Sequence, residues 1–441
     1  MARPRKNENE PKPSTQELAL VPVEEQPYPL PEGWKWVRLG DCNCYTGETV
    51  NPALAKAKTF ELYSVPSSAD DYPEIILGSE IGSSKQSVDP DDVLLCKINP
   101  RINRVWRVTG HTQNPLIASS EWIIFRNKNI SSKYMMYCMR SEYFRKYMLS
   151  NVSGVGGSLM RAQPKHVRFY PIPLPPLDEQ ERIVAHIESL FAKLDEAKEK
   201  AEAVLDSYET RKAAILHKAF TGELTAKWRE EKGIDLSTWQ IKAFSDIIFE
   251  TKLGLVRSKS EQSLEFPNTY LKMNNISSDG QISLEDITKV HATNEEITSF
   301  RVLNGDFLFN TRNSYELVGK SAVFKQQSDE IVLFNNNIMR IRFNKNVDSQ
   351  YVSYFFLSTR GKKQLDSFKK NTTNIAAIYA KNLNDMQIPV AFLDEQKQIA
   401  RILDNLLEKE QQSKAAAEAV LEQIDLMKKA ILAKAFRGEL G

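Results

Sequence analysis

Two stretches in the first half of the chain combine Lys and Arg with Asn and Gln, the side chains that contact nucleic acids. Lys and Arg neutralise phosphates, and Arg, Lys, Asn and Gln also reach base edges in the major groove. KINPRINRVWR starts at Lys97 and places its charges between apolar residues that can anchor it, and SLMRAQPKHVR starts at Ser158 beside a glycine-rich turn. The candidate contacts are Lys97, Arg101, Asn103, Arg104, Arg107, Arg161, Gln163, Lys165 and Arg168.

The second half of the chain has stretches of the same kind at corresponding positions, NTRNS from Asn310 and KKNTTN from Lys369. Any one of these residues could equally belong to a solvated charged loop. Four stretches at equivalent positions favour a shared role in binding DNA. The candidates here are Asn310, Arg312, Asn313, Lys369, Lys370, Thr372, Thr373 and Asn374.

No catalytic set accompanies these residues. GKS at Gly319 resembles the end of a phosphate-binding loop, but Ser314 stands where that motif needs a glycine. PDDVLLCK is not a nuclease motif, because no acid stands two residues before Lys97, and the Asn-Pro pairs lack the second proline and aromatic residue with which amino-methyltransferases grip a flipped base. The five histidines and four cysteines are scattered without metal-ligand spacing. The sequence therefore predicts no catalytic residue and no metal site.

Composition indicates a protein of two or three globular domains. The 441 residues include 59 Lys and Arg against 57 Asp and Glu, so the chain as a whole is not basic and local charge must decide what it binds. No apolar run approaches the ~20 residues that span a bilayer, and the N-terminus lacks the apolar core of a secretory signal. We expect a cytoplasmic protein with reduced thiols, no membrane partner, and a disordered tail over residues 1–28, which are rich in Pro, Glu, Lys and Asn.

The elements that must position the candidate contacts include two long helices of nearly the same sequence. One begins with LDEQ at Leu177 and ends with AFTGEL, and the other begins with LDEQ 216 residues later and ends with AFRGEL. Apolar residues in both recur at alternating steps of four and three, which is the spacing of a coiled-coil seam. The predicted seam comprises Ile183, Ile187, Leu190, Leu194, Val204, Tyr208 and Ile215 in the first helix and Ile399, Leu403, Leu406, Val420, Ile424, Met427 and Ile431 in the second.

A single stripe of this kind is typical of an ordinary bundle or dimerisation helix, but two copies in one register favour a pair within the chain. Each helix would be ~60 Å long and can bury its stripe most simply against the other. A whole domain connects them, so an antiparallel pairing is sterically easy. Arg211 and Glu410 interrupt the two seams, and we expect them to lie near each other across the pair.

The predicted fold is mixed α/β (α+β), with two globular domains separated by an antiparallel coiled coil and an internal two-fold repeat. PDDVLLCKINP in the first domain matches NGDFLFNTRN in the second, and the aromatic helix KYMMYCMRSEYFRKYM matches QYVSYFFLSTRGKKQL. The predicted segments are the tail 1–28, the first domain 29–176, the first long helix 177–224, a linker 225–236, the second domain 237–392 and the second long helix 393–441.

The order of these motifs resembles the specificity (S) subunit of a Type I restriction–modification system. LPEGWKWVRLGD, a variable domain, PIPLPPLDEQERIV, a long helix and AFTGEL are followed by a second variable domain, IPVAFLDEQKQIA, a second helix and AFRGEL. The resemblance covers nearly the whole chain from about residue 29, and its most specific parts, the LDEQ start and the AFxGEL end, occur twice. One minor departure is VAF before the second LDEQ, where the first has LPP.

The resemblance implies two target-recognition domains that each read one half of a split DNA site, joined by a coiled coil that sets the spacing and docks two methyltransferase subunits. In that family the methylation of adenine N6 and the restriction motor belong to partner chains, which carry the S-adenosylmethionine, ATP and Mg. It therefore implies a non-catalytic chain without a cofactor of its own. The implied partners are double-stranded DNA, two methyltransferase subunits and the restriction subunits.

Three other interpretations remain open from the sequence. The chain could be the specificity subunit of a related enzyme that cuts beside its site, since the nuclease lies elsewhere. A stand-alone coiled-coil DNA-binding protein would bind with useful affinity without partners. A scaffold that binds peptides rather than DNA would lack the steep salt dependence of nucleic-acid binding.

Overall fold

The computed structural model of the chain describes residues 18–150, 152–153, 160–326, 328–371 and 375–440. It divides into two compact units that each mix helices and strands, as predicted. Unit 1 comprises the chain up to Glu202 together with Ala419–Gly441, and unit 2 comprises Ala203–Glu418. Each unit therefore contains one globular domain and a segment of both long helices.

Unit 1 contains short strands and four short helices before the first long helix. The helices are α1 Leu39–Cys42, α2 Ser132–Arg140, α3 Glu142–Ser150, α4 Pro164–Val167 and α5 Leu177–Phe220, which continues into unit 2. The strands are β1 Lys35–Arg38, β2 Thr49–Val50, β3 Thr59–Tyr63, β4 Glu74–Leu77, β5 Lys85–Ser87, β6 Val93–Cys96, β7 Val105–Arg107, β8 Leu116–Ala118, β9 Trp122–Phe125, β10 Val152–Ser153, β11 Arg161–Ala162 and β12 Pro171–Leu174. They form sheets in the orders β2-β5-β8-β3-β4, β7-β6-β9, β1-β12 and β10-β11.

Unit 2 repeats this combination of small sheets with a pair of aromatic helices. Its helices are α6 Ala226–Lys232, α7 Phe244–Ile247, α8 Asn294–Phe300, α9 Ser349–Leu357, α10 Thr359–Phe368, α11 Ala380–Asn384 and α12 Leu393–Ala435, which continues into unit 1. The strands are β13 Gln240–Ala243, β14 Ile248–Leu253, β15 Asn268–Leu271, β16 Thr288–Val290, β17 Phe307–Asn310, β18 Arg312–Asn313, β19 Ser321–Val323, β20 Val332–Phe334, β21 Ile338–Phe343, β22 Lys370–Asn371, β23 Ala376–Ala377 and β24 Gln387–Val390. The sheet orders are β14-β21-β17-β19, β16-β15-β20, β18-β23-β22 and β13-β24.

The internal repeat is visible in matching bonds within each unit. The central strands β6 and β17 are buried along their whole length, and each follows a buried aspartate. Asp92 accepts hydrogen bonds of 2.7 and 2.6 Å from the guanidinium of Arg126, and Asp306 accepts bonds of 2.7 and 3.1 Å from that of Arg342. The turn acid common to the two predicted strands is therefore a buried aspartate that pairs with a half-buried arginine in both units.

The aromatic helices also match. α2 and α9 begin with an N-cap side chain, Ser131 or Asp348, that accepts a hydrogen bond from the backbone amide three residues on. The Tyr134 hydroxyl donates to the Pro173 carbonyl and the Tyr351 hydroxyl donates to the Pro389 carbonyl, both at 2.7 Å. Each bond ties the helix to the last strand of its domain, which leads directly into a long helix.

The two long helices begin where the repeat predicts. Each is followed closely by a glycine with positive φ, Gly222 (+82°) after α5 and Gly438 (+72°) after α12. In unit 1, the start of α5 shares a core with the end of α12, including Ile187 and Leu432. In unit 2, the end of α5 shares a core with the start of α12, including Phe220 and Leu403. This arrangement confirms the antiparallel pairing.

The predicted contact between Arg211 and Glu410 is confirmed within unit 2. Arg211 Nε lies 2.7 Å from a carboxylate oxygen of Glu410, and the nearby Tyr208 hydroxyl donates to Gln411 at 3.0 Å. Both charged groups are half-buried, so they interrupt the apolar seam as a pair instead of leaving either charge unopposed.

Most residues of the predicted seam are buried or half-buried, but two in the second half of α12 are exposed. Val420 and Met427 are 38% and 42% exposed. The inward position has moved by one residue, to Lys428, whose Nζ lies 5.2 Å from the centre of the Phe191 ring and 2.5 Å from Asp195. The buried seam residues are Ile183, Ile187, Tyr208, Ile399, Leu403 and Ile424, and Leu190, Leu194, Val204, Ile215, Leu406 and Ile431 are half-buried.

The predicted disordered tail is wrong from Leu18 onwards, and residues 1–17 lie outside the described residues. Leu18 and Val21 are buried, and the Val21 amide donates to the Trp36 carbonyl at 3.0 Å. The Tyr28 hydroxyl donates to the Phe436 carbonyl at 2.9 Å. A few apolar residues within a polar stretch are therefore enough to hold it on the surface of unit 1.

The predicted linker after α5 is also folded. It contains α6, whose Arg229 forms a buried ion pair with Glu395 in the second LDEQ, with Nη1 2.7 Å from Oε1. Thr225 Oγ1 donates to Glu395 at 2.7 Å and Trp239 Nε1 donates to it at 2.9 Å. The start of α12 is thus fastened to the segment that follows α5. No helix in the described part of the chain is long and apolar enough to cross a membrane.

Candidate nucleic-acid interface

The two basic stretches of unit 1 lie side by side. Ile98 forms an antiparallel bridge with Arg161. The Asn99 amide donates to the Met160 carbonyl and the Ala162 amide donates to the Lys97 carbonyl, both at 2.8 Å. The residues after β6 and those around β11 therefore form one surface, which we call the first basic edge (Lys97–Arg104 with Met160–Arg168).

The loop that carries Arg101 has a defined conformation. Asn99 and Asn103 flank a single 3-10 turn and adopt φ of 46° and 51°, a left-handed conformation that Asn tolerates better than most residues. Asn103 Nδ2 donates to the Arg140 carbonyl at 3.0 Å, and Arg145 Nη2 donates to the Arg101 carbonyl at 2.5 Å. The loop is fixed through its backbone, and the Arg101 side chain is left to solvent.

The candidate side chains on this edge differ in how they are held. Lys97 Nζ donates to the Ser120 carbonyl at 2.6 Å, and Arg161 pairs with Glu121 at 3.1 Å while its side chain stays half exposed. The half-exposed guanidinium of Arg161 therefore remains accessible to a phosphate or a base edge. Arg101, Arg161, Lys165 and Arg168 are exposed, whereas Lys97, Asn103, Arg104 and Gln163 are half-buried.

Arg107 does not belong to the first basic edge. It lies opposite Val93, at the end of the β6–β7 hairpin farther from Lys97, and its Nη1 is 2.6 Å from Asp91. The sequence placed it in one run with Arg101 because a hairpin was not anticipated there. In the structure it lines a cleft of unit 1 with Asp91 and Arg126.

The basic stretches of unit 2 also meet, in the small sheet β18-β23-β22. The Ile378 amide donates to the Thr311 carbonyl at 3.0 Å, which matches the bond between Ala162 and Lys97 in unit 1. Arg312 and Lys370 both lie directly opposite Ala377, one on each side of it. Residues in one cross-strand row point to the same face, so two exposed cations flank a small residue. This surface is the second basic edge (Thr311–Asn313 with Lys369–Asn371).

Several candidates of the second basic edge have other surroundings. Asn310 is 0% exposed and its side-chain oxygen accepts a hydrogen bond from the Arg312 amide at 3.3 Å, so it shapes the end of β17 and is removed from the surface contacts. Lys369 pairs with Asp366 at 2.8 Å and lies 4.8 Å from the centre of the Tyr315 ring, which leaves 9% of its side chain exposed. Asn313 is half-buried. Thr372, Thr373 and Asn374 lie outside the described residues.

Two side chains at these edges were missed by the sequence reasoning, which looked for cations and amides. Glu121 lies beside Arg161, and a carboxylate can accept a hydrogen bond from the amino group of cytosine. Tyr315 is exposed beside Lys369 and offers a ring face to a base or sugar. The position of Tyr315 two residues after NTRN was a signal in the sequence, whereas only the fold brings Glu121 to Arg161.

Both edges supply hydrogen-bond donors and positive charge on strand-anchored loops. Among the residues that the structure describes, no group of His, Cys, Asp and Glu could hold a metal ion. The arrangement suits binding of a polyanion that presents both phosphates and flat base edges.

Comparison with known proteins finds a family match in the second half of the chain. Residues 237–423 match the family model described as "Type I restriction modification DNA specificity domain". The match covers the domain of unit 2 and most of α12, including the second basic edge and the LDEQ start.

The resemblance to Type I specificity subunits extends to the whole chain. The EcoKI specificity subunit of Escherichia coli K12 is 24% identical over 432 residues, which cover 93% of this chain and 90% of that protein. The HsdS subunit of Thermoanaerobacter tengcongensis has the same fold, with a TM-score of 0.64 at 22% identity over 95% of this chain and all of that one. A further chain, solved in work on complex assembly in the type I R-M system, gives a TM-score of 0.72 at 23% identity over 94% of this chain and all of that one. The chain thus has an HsdS-like fold, as the sequence motifs predicted.

Proposed function

We propose that this chain is the non-catalytic DNA-specificity subunit of a Type I restriction–modification complex. The observation that carries the proposal is that both units have a basic edge, and that equivalent segments of the internal repeat form it in each unit. The match of residues 237–423 to the specificity-domain family model supports it. Each unit would read one half of a split DNA site through its own edge.

The division of labour within an edge follows from the side chains. Exposed cations such as Arg101, Lys165 and Lys370 hold phosphates and give affinity without reading sequence. Gln163, Arg161 and Arg312 can donate to base edges in the major groove and give specificity. Because both edges belong to one chain, binding of the second half-site is effectively intramolecular, and the gap between half-sites becomes part of the recognised sequence.

The proposed partners are double-stranded DNA, two methyltransferase subunits and the restriction subunits of the complex. S-adenosylmethionine, ATP and Mg would be bound by those partners and not by this chain. The internal repeat supports the stoichiometry, because two copies of a domain-plus-helix segment offer two equivalent surfaces to two identical subunits.

The proposal is tested by DNA binding of the complex assembled with the neighbouring methyltransferase subunit. Lys370→Ala removes one cation that can neutralise a phosphate, so it should weaken binding and lower the slope of log K against log salt by about 1. Arg312→Ala removes a donor to a base edge, so it should weaken binding and relax the sequence preference in one half-site. The exposed Lys227→Ala on α6, which removes the same charge away from both edges, should leave the slope unchanged. Equal slopes in Lys370→Ala, Lys227→Ala and the wild type would contradict a role of the second basic edge in holding DNA.

A further inference from the structure

One edge of β13 in unit 2 is open. β13 pairs with β24 alone among the described strands, and Ile241 lies opposite Pro389. Proline has no N–H, so this is a pair without cross-strand hydrogen bonds, and the N–H and C=O of Ile241 point away from β24. Within the described ranges neither group has a partner.

In unit 1 the same edge is covered by an extended segment. Trp36 of β1 lies opposite Pro173 of β12, in the same geometry. Its carbonyl accepts a hydrogen bond of 3.0 Å from the Val21 amide, and Leu20 forms an antiparallel bridge with Val37. The segment that starts at Leu18 therefore pairs with the outer edge of β1 through an isolated antiparallel bridge.

The two units differ accordingly in what they expose. Trp36 is 3% exposed under its cover, whereas Ile241 at the equivalent position is 55% exposed. Next to β13 lies a cleft of about 870 Å³, lined by residues of β13, β24 and helix α6 that include Trp228, together with the exposed Phe392. This cleft is large enough for several side chains of a peptide.

The charges around the cleft favour a carboxylate. Lys232 and Lys242 line it, and neither is in an ion pair within the part of the chain that the structure describes. Of the two acids in the lining, Asp246 accepts the Ala243 amide at 3.3 Å and Asp394 lies in the first turn of α12, where the helix N-terminus stabilises it. In unit 1 the covering segment supplies such a group: Glu25 pairs with Arg38 of β1 at 2.6 Å.

We propose that the open edge of β13 and the adjoining cleft bind an extended, apolar, acidic peptide segment of another protein chain by strand addition. An unpaired edge strand is a template for such pairing, and main-chain hydrogen bonds supply affinity while neighbouring pockets select side chains. The segment on β1 shows what the occupant looks like: apolar residues that pair with the strand, followed by a carboxylate. This site uses no residue of either basic edge, so its existence can be tested independently of DNA recognition.

The test uses the full chain and a fluorescein-labelled peptide of the sequence LALVPVEEQPY, which is that of residues 18–28. Fluorescence anisotropy should show saturable binding, and hydrogen exchange of residues 240–243 should slow when the peptide is bound. Ile241→Pro removes the outward N–H without touching the bonds to β24, and Lys242→Glu reverses the charge. Each should weaken binding about five-fold or more, whereas Lys227→Glu, the same charge change outside the cleft, should change it less than about two-fold.

Three results would overturn the proposal. One is the absence of saturable binding up to a peptide concentration of about 1 mM, because a dissociation constant above that value corresponds to contacts too weak to be specific. Another is binding that neither Ile241→Pro nor Lys242→Glu weakens, while melting curves show both variants folded. In the third, residues 240–243 are protected without peptide, through concentration-dependent dimers or on addition of a DNA duplex, which would make a second copy or DNA the occupant.

Discussion

Glu61 shows how a single buried charge holds a loop of unit 1. The side chain is fully buried, and its carboxylate accepts hydrogen bonds from the Tyr63 hydroxyl, the His111 amide and the amide and hydroxyl of Thr112, at 2.8–3.1 Å. Burial alone would raise the pKa of Glu61, but these donors hold the pKa below the ordinary glutamate value. The ionised form therefore stabilises the folded state.

We predict that Glu61→Gln lowers the free energy of unfolding by about 2 kcal/mol at pH 7, because a charged acceptor is replaced by an amide that also turns a donor towards backbone N–H groups. Since the folded-state pKa lies below the unfolded value of about 4.3, this stabilisation is complete above that pH and is lost as the pH falls through the folded-state pKa. Urea denaturation at pH 7 and at about pH 3 should show the gap between wild type and variant shrinking at the lower pH. A gap independent of pH would rule out this role of the charge.

The two glutamates of the LDEQ repeats provide a matched comparison. Glu395 is fully buried in its pair with Arg229, whereas Glu179 pairs with Arg182 on the surface at 2.7 Å. Removing one partner of a buried pair leaves an uncompensated charge, so Glu395→Ala should cost about 3–5 kcal/mol of unfolding free energy. Glu179→Ala should cost less than about 1 kcal/mol. Similar costs in chemical denaturation would show that the buried pair does not fasten the start of α12.

Among the site residues, the sequence indicated exposure correctly for cations whose surroundings are set by their neighbours along the chain. Arg101 lies in a single 3-10 turn and Lys165 in the one-turn helix α4, and both side chains are exposed to solvent. Asn310 was misjudged because it ends a strand that both neighbours bury, and Arg107 because a hairpin turns it away from Lys97. Such non-local pairing is not encoded in the residue types of a single stretch.

At the scale of elements, the long helices were the most predictable part, because a heptad pattern repeated 216 residues later fixes start, length and partner together. The seam near Met427 was not predictable from apolar spacing, because the aliphatic stem of Lys428 packs inward while its charge reaches Asp195. The fold of the residues from Leu18 to Tyr28 was missed for a related reason: pairing with β1 compensates for low local hydrophobicity.

The corrected seam makes a prediction about helix substitutions. Leu403→Ala and Ile187→Ala remove fully buried side chains and should each cost about 2–4 kcal/mol. Met427→Ala and Val420→Ala, at predicted seam positions that are exposed, should each cost less than about 1 kcal/mol. Thermal or urea unfolding of the four variants would distinguish the observed register from an uninterrupted heptad, which requires four similar losses.

At the scale of the whole molecule, the proposed function ties the gap in the DNA site to helix length. Both long helices pass from one unit to the other, α5 at Glu202/Ala203 and α12 at Glu418/Ala419. A seven-residue insertion at both points keeps the heptad register and lengthens each helix by about 10 Å. We predict a gap longer by about 3 base pairs and unchanged half-sites, read from the methylated sequence. An unchanged gap would show that the length of the helices does not set the spacing between the half-sites.

The most direct test of the central claim is sequencing-based mapping of N6-methyladenine in cells that express this chain with its neighbouring methyltransferase subunit, compared with cells that express that subunit alone. The account predicts a split motif, two short words at a constant gap methylated on opposite strands, that requires this chain. Arg312→Ala in the second basic edge should weaken or relax one word and leave the other intact. Methylation that is absent, or the same with and without this chain, would contradict its role as the specificity subunit.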